Sequence, residues 1–225
     1  MKIPVLVFTA ATIALLTLAW NAVSYRLYGG LDPVYFLLSL FLMINLLIAW
    51  WECCLYWRRD YIEERARYWR ERRAETGLTP AVEFLTSSVP LRGILSPTVW
   101  ADIWATYSQY DSSYEDRRTY GFNVDIGNGF FTPIASLVLL GAMTFEFLPA
   151  VLAGILGVAL FWQWFYVSSL YVVSFYVAGR QRTISSAEIW IYVIGPNSVW
   201  VLFPLLGLYV AVRLILDGNY GVLGH

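Results

Sequence analysis

The chain is poor in charge and in metal-binding side chains. Of its 225 residues only 14% are charged, one is histidine and two are cysteine, whereas an average soluble domain is roughly one quarter charged. The histidine is His225, far along the chain from the adjacent Cys53 and Cys54. No Cys-x-x-Cys pair or His/Cys metal cluster can be built from them, so neither a metal nor a cofactor is expected. The two cysteines read as small apolar fillers on a buried helix rather than as a redox pair. The net charge is -1, and each arginine cluster has carboxylates beside it. No basic face remains, which excludes a nucleic-acid partner.

Apolar and aromatic residues are abundant. Hydrophobic residues make up 59% of the chain and aromatic ones 18%, with eleven tryptophans. Five uncharged runs, Ile3 to Trp20, Pro33 to Trp51, Ile126 to Phe145, Phe147 to Gly179 and Ile189 to Val212, are each long enough to cross a hydrocarbon core as a helix. They predict an all-α integral membrane protein, a single domain over residues 1–225, built as a five-transmembrane-helix bundle with an interfacial helical connection between helices 2 and 3. The first run is long for the apolar region of a signal peptide, and Leu-Ala-Trp-Asn-Ala offers no small-x-small cleavage site, so a retained helix is expected. Five spans place the termini on opposite sides. Lys2, the ten arginines from Arg58 to Arg118, Arg180 and Arg182 then share the N-terminal side, against Arg26 and Arg213. This imbalance predicts a cytoplasmic N-terminus. The expected location is an internal membrane, the endoplasmic reticulum in a eukaryotic cell, and the expected partners are membrane lipids and a hydrophobic small molecule.

The connection between the second and third spans contains two helical segments. Asp60 to Glu75 is almost wholly charged or aromatic, with Glu63 and Arg67 one turn apart, and reads as a solvated continuation of the second helix along the membrane surface. Thr76-Gly77-Leu78-Thr79-Pro80 breaks it. Ser96-Pro97 opens the second segment, which carries Trp100, Trp104, Tyr107 and Asp111 at spacings of four, three and four. This aromatic stripe ending in a carboxylate reads as an interfacial belt or as a lid over a lipid-binding cavity.

Within the spans, polar residues fall in helical register. Asp125, Asn128, Thr132 and Ser136 form one stripe on the third span. Asn45, Glu52 and Tyr56 repeat the pattern on the second, Gln163 and Tyr166 on the fourth, and Asn197 and Trp200 on the fifth. Interhelical hydrogen bonds, worth on average about 0.6 kcal/mol each in membrane bundles, account for the amides and hydroxyls. They do not account for Glu52, because an ionised carboxylate at that depth costs about 3 kcal/mol. Burial favours its neutral form, and a neutral carboxylic acid among aromatic rings is a general acid able to protonate an alkene or an epoxide. A second acid, Asp125, completes a donor and acceptor pair in which either carboxyl can be the neutral acid and the other, ionised, can take up a proton. Asn128 and Asn197 are candidates to orient an oxygen, and the ring of Trp200 to face developing positive charge.

Ile103-Trp104-Ala105-Thr106-Tyr107-Ser108-Gln109-Tyr110-Asp111-Ser112-Ser113-Tyr114, then Phe122-Asn123-Val124, and later Asn197-Ser198-Val199-Trp200-Val201-Leu202-Phe203-Pro204 resemble the emopamil-binding protein family, the EXPERA superfamily, over roughly residues 34 to 215. The resemblance implies a sterol-isomerase-like cavity. By position, Glu52 looks like the second-span acid, Asn197 like the last-span asparagine and Trp200 like the cation-facing indole. The sterol isomerases carry a histidine one turn before that glutamate, where this chain has Ile48, and a glutamate early in the third span, where it reads Asp125-Ile126-Gly127-Asn128. These departures favour the superfamily's membrane-bound terpene cyclases and epoxide-opening enzymes of fungal secondary-metabolite pathways, of the ascofuranone and ascochlorin type. The leading expectation is thus an acid-catalysed cyclase or epoxide hydrolase acting on an isoprenoid or polyene-derived substrate. The alternatives are a sterol double-bond isomerase and a non-catalytic sterol- or lipid-binding protein. Expected catalytic residues are Glu52, Asp125 and Asn197; expected substrate contacts are Asn128, Trp200, Trp104, Tyr107, Asp111, Gln163 and Tyr166.

Overall fold

The computed structural model describes residues 1–225 and is helical apart from one short two-stranded sheet. Five helices are long and apolar enough to cross a membrane: α1 (Val5–Tyr28), α2 (Pro33–Trp57), α6 (Tyr120–Phe145), α7 (Ala150–Val177) and the segment Ser186–Asp217. That last segment comprises a single turn, α8 (Ser186–Glu188), a π-helical turn (Ile189–Ile194) and α9 (Gly195–Asp217). Local chemistry sets their ends. Asp32 Oδ1 accepts from the backbone N–H of Val34 and of Tyr35, each at 2.8 Å, so a carboxylate caps α2 with proline at its first position. A glycine in the left-handed region follows α1 at Gly29 and α7 at Gly179.

The surface chemistry of these helices is the reverse of a soluble protein's. Leu15, Phe131, Ile134, Val177 and Leu216 are exposed, whereas Asn21, Ser39, Asn45, Glu52, Asn128, Thr132 and Ser136 are buried. The polar stripe expected on the third span therefore faces inward from Asn128 to Ser136. The stripe expected on the second is shorter than predicted: Tyr56 is exposed and packs edge-on against Phe130 at 5.6 Å.

The interhelical connection departs from the sequence reading in one respect. Arg58, with φ -120° and ψ 22°, separates α2 from a new helix, α3 (Arg59–Thr76), in place of one continuous helix. Apolar Ile62, Ala66 and Trp69 recur every three or four residues and bury one face of α3, so it packs as an amphipathic helix. Gly77, at φ 67°, closes it as expected. The arginines do not form a freely solvated face. Arg65 pairs with Asp102 at 2.8 Å and Arg70 with Glu115 at 2.8 Å; Arg72 meets Glu83, Arg73 meets Glu188, and Arg117 meets Asp60 and Glu63. Glu63 is thus partnered by Arg117 from a distant segment and not by Arg67. Beyond α3 come α4 (Pro80–Thr86), β2 (Ser88–Pro90) and α5 (Pro97–Tyr107). β2 pairs antiparallel with β1 (Lys2–Pro4), Ile3 opposite Val89, which explains why the first helix starts at Val5 and not at Ile3.

The chain divides into two compact units. The first comprises Met1–Ala11, Ile48–Phe130 and Tyr171–Pro196; the second Thr12–Leu47, Phe131–Leu170 and Asn197–His225. The core of the first contains Ile62, Trp69, Phe84, Trp100, Trp104 and Phe175. That of the second contains Tyr35, Phe41, Leu139, Phe161, Trp164 and Leu214.

Candidate functional site

In the first unit, α6 approaches α2 at Gly129. A β-carbon on Gly129 would lie 2.7 Å from Glu52 Cβ and 3.0 Å from the Ala49 carbonyl oxygen, so only glycine allows this approach. The preceding residue, Asn128, donates from Nδ2 to Glu52 Oε2 at 2.6 Å. Glu52 itself is 4% exposed. Glu52 is buried as the sequence reading expects, whereas the Asn128 amide, read from sequence as orienting a substrate oxygen, faces the Glu52 carboxyl. Cys53 is more than filler. Pro133 has no N–H to offer the carbonyl of Gly129 four residues earlier, and Cys53 Sγ donates to that carbonyl at 3.3 Å.

One turn before Asn128 stands Asp125, whose Oδ2 accepts from the Tyr114 hydroxyl at 2.6 Å. Asp125 and the Asn128 that binds Glu52 thus lie one turn apart on α6. Tyr114 lies in the 3-10 turn Ser112–Glu115, outside the long apolar helices. Burial, and after it the charge of Asp125, hold its hydroxyl well above the ordinary phenol range. It therefore remains a neutral donor at physiological pH.

The aromatic stripe of α5 is internal packing and not a lid. Trp100 is fully buried and stacks on Trp51 at 5.2 Å. Trp104 donates from Nε1 to the Trp51 carbonyl at 2.7 Å and stacks on Tyr114 at 4.9 Å. The Tyr107 and Tyr171 hydroxyls lie 3.2 Å apart. Asp111, wholly buried, accepts from the Tyr171 hydroxyl at 2.6 Å, from Arg180 at 2.7 and 3.0 Å and from the Ser113 N–H at 2.9 Å. Trp104 and Asp111, read from sequence as substrate contacts, thus have their polar atoms engaged by the protein, and the Tyr107 hydroxyl faces another tyrosine. The cause is topological: α5 packs against α3 and α4 and leads into the turn that carries Tyr114.

The second unit holds the remaining candidates. Asn45, fully buried, accepts from Trp200 Nε1 at 3.1 Å and donates to Thr132 Oγ1 at 3.4 Å. The Trp200 ring stands edge-on to Phe41 at 6.2 Å. Asn197 is half-buried in the first turn of α9, and Gln163 is half-buried on α7. Tyr166 is 50% exposed and stacks on the equally exposed Trp162 at 5.9 Å. It does not face inward as expected, because three residues along a helix turn the chain by some 300° and place it past the edge of the buried face.

Sequence reasoning missed three members of the first unit's polar cluster, Tyr114, Tyr171 and Arg180. The available signals were Asp111 followed three residues later by a tyrosine, and an arginine immediately after an apolar run. Chemically, the arrangement offers two carboxyls with different hydrogen-bond donors, Glu52 buried and Asp125 half-buried. Environments that separate two carboxyls in this way suit one to give a proton and the other to take it.

Among known proteins, the chain is similar to isomeliandiol synthase MOI2 of Melia azedarach, 28% identical over 122 residues that cover 52% of this chain and 53% of that protein. The chain thus spans about half the length of the curated relative that it matches. No protein-family model and no solved structure matches it.

Proposed function

We propose that this protein is a membrane-embedded enzyme of the EXPERA superfamily that uses Glu52 and Asp125 to open an epoxide or drive a cyclisation on a hydrophobic isoprenoid. The observation that carries the reading is the placement of Asp125 one helical turn from Asn128, the residue that binds the buried Glu52, so that the first unit holds two carboxyls, each with its own donor. Likeness to a protein named as making isomeliandiol supports a terpenoid substrate. The apolar exterior of the long helices supports insertion in a membrane, and the location proposed for it is an internal one such as the endoplasmic reticulum.

In the proposed step one carboxyl, as the neutral acid, transfers its proton to the epoxide oxygen as a carbon–oxygen bond breaks. Water, or a hydroxyl of the substrate, attacks the electron-poor carbon. The second carboxyl, ionised, receives the proton that this nucleophile releases, and proton exchange between the two acids restores the starting state. With water as nucleophile the net change is the addition of one water. Asn128 holds Glu52 in place, and Tyr114, its ring packed against Trp104 and Tyr107, donates to Asp125.

The test is conversion of squalene epoxide and of shorter geranyl and farnesyl epoxides by yeast microsomes containing the protein, read by mass spectrometry. Product is expected from the wild type, and Glu52→Gln and Asp125→Asn should each lower its rate on the order of 100-fold or more, the scale of general acid–base catalysis. No product from wild type, or wild-type rates from both variants, rejects the reading.

A further inference from the structure

We infer that Tyr114 is the positioning residue for Asp125, and that Trp104, Tyr107, Asp111, Tyr171 and Arg180 form the mount that aims it. The inference rests on the reading in which Asp125 exchanges protons, and it goes further by giving the two acids distinct roles. Tyr114 is 4% exposed. Its ring is stacked on Trp104 with an interplanar angle of 25° and is met edge-on by Tyr107 at 5.0 Å. Trp104 is pinned in turn to the carbonyl of Trp51, the residue next to Glu52. The turn that carries Tyr114 is fixed from its other end, where Asp111 holds the Ser113 N–H and is itself held by Tyr171 and Arg180. With ring and turn both immobilised, the hydroxyl meets Asp125 Oδ2 at 2.6 Å.

This geometry distinguishes the carboxyls. Glu52 faces an amide, which can donate from nitrogen or accept on oxygen and so suits either protonation state. Asp125 faces a phenol, which donates well and accepts poorly, and a donated hydrogen bond favours a charged carboxylate. The structure assigns Asp125 as the acceptor and Glu52 as the donor. The ionisable groups that act on Asp125 from the surrounding elements are Glu52 from α2, Tyr114 and Asp111 from the segment before α6, and through Asp111 the Arg180 guanidinium that follows α7.

The experiment is infrared spectroscopy of the full chain in lipid nanodiscs with carbon-13 in the aspartate side-chain carboxyl, the Asp125 band being the one lost in Asp125→Asn. In Tyr114→Phe that band should shift to higher frequency while the other labelled bands stay in place, and the microsomal product rate should fall about tenfold or more, the lower range for loss of a group that tunes an acid–base catalyst. A band that does not move overturns the inference. Should Tyr114→Phe fail to fold, difluorotyrosine at position 114, a stronger donor of nearly the same shape, must move the band in the opposite direction, and an unmoved band again overturns it. Loss of product in Asp125→Asn with full product and an unmoved band in Tyr114→Phe rejects the inference alone. Full product in both Asp125→Asn and Glu52→Gln rejects the proton-transfer reading, and the part of Tyr114 as positioning residue for proton transfer falls with it, even if the band moves.

Discussion

The Cys53 thiol donates to the Gly129 carbonyl at 3.3 Å, the carbonyl that Pro133 deprives of its helical partner. One side chain of α2 therefore repairs a gap in α6 beside the Glu52–Asn128 bond. Replacing it with Val should leave a buried carbonyl unsatisfied and cost about 1–3 kcal/mol, whereas Ser, which supplies a stronger donor, should be tolerated. Melting temperatures of both variants in one detergent check this; a Val variant as stable as wild type contradicts it.

Two neighbouring glycines of α6 should respond in opposite ways. Ala at Gly129 must push against Glu52 Cβ and the α2 backbone, and overpacking of this kind costs about 1–3 kcal/mol. Ala at Gly127 meets nothing within 4 Å and should add several tenths of a kcal/mol through helix propensity. Thermal unfolding of the pair would settle it, and equal effects would mean that α6 and α2 do not approach in this way.

Asn128→Leu removes the only side-chain partner seen on Glu52 in the first unit. It should slow product formation on the order of 10-fold or more while leaving the helix formed, because the acid loses its orientation but not its carboxyl. Helical circular dichroism with product rates in microsomes tests this; an unchanged rate would remove Asn128 from the site.

The Arg180–Asp111 pair is deeply enclosed, with side chains 12% and 0% exposed. Arg180→Met leaves Asp111 as an uncompensated buried charge and should destabilise the fold by about 3–5 kcal/mol. The double variant Arg180→Met with Asp111→Asn should recover a large part of that loss. Chemical denaturation of the three proteins measures the difference, and equal stability of the two variants would argue that the pair contributes no coupling.

Alkaline pH should unfold the protein through its buried phenols. Tyr114 and Tyr110 are held above the ordinary range, first by burial and then by Asp125 and Tyr192 respectively, and Tyr220 is pushed up to about 12, first by burial and then by Glu146. A folded-state value above the unfolded one, near 10, means that the native state binds more protons above that pH. The stability these groups provide is complete below about pH 10 and is lost as pH rises toward 12 and beyond. Melting curves from pH 8 to 12, with tyrosinate absorbance recorded alongside, should show the two changes together. Tyr114→Phe should make the decline shallower.

The helices, and the polar stripe from Asn128 to Ser136, were legible in the sequence because a helix repeats its faces every three or four residues. The breaks at Gly77 and before Pro97 were legible for the same local reason, since glycine and proline restrict the backbone wherever they stand. Tyr166 was misjudged because the edge of a buried face depends on what packs beside it. That the polar atoms of Trp104 and Asp111 are engaged within the fold was not legible, because interfacial aromatics and buried mounts share one composition.

Taken alone, the order of residues determined an apolar helical chain with two acids, Glu52 and Asp125, lodged among uncharged neighbours. Only the tertiary structure decided which donors reach those acids, since Glu52 and Asn128 lie 76 residues apart and meet because Gly129 lets two backbones close in. Hydrogen bonds reach about 3 Å and leave no trace in spacing along a chain, so contact between distant segments had to be found in three dimensions.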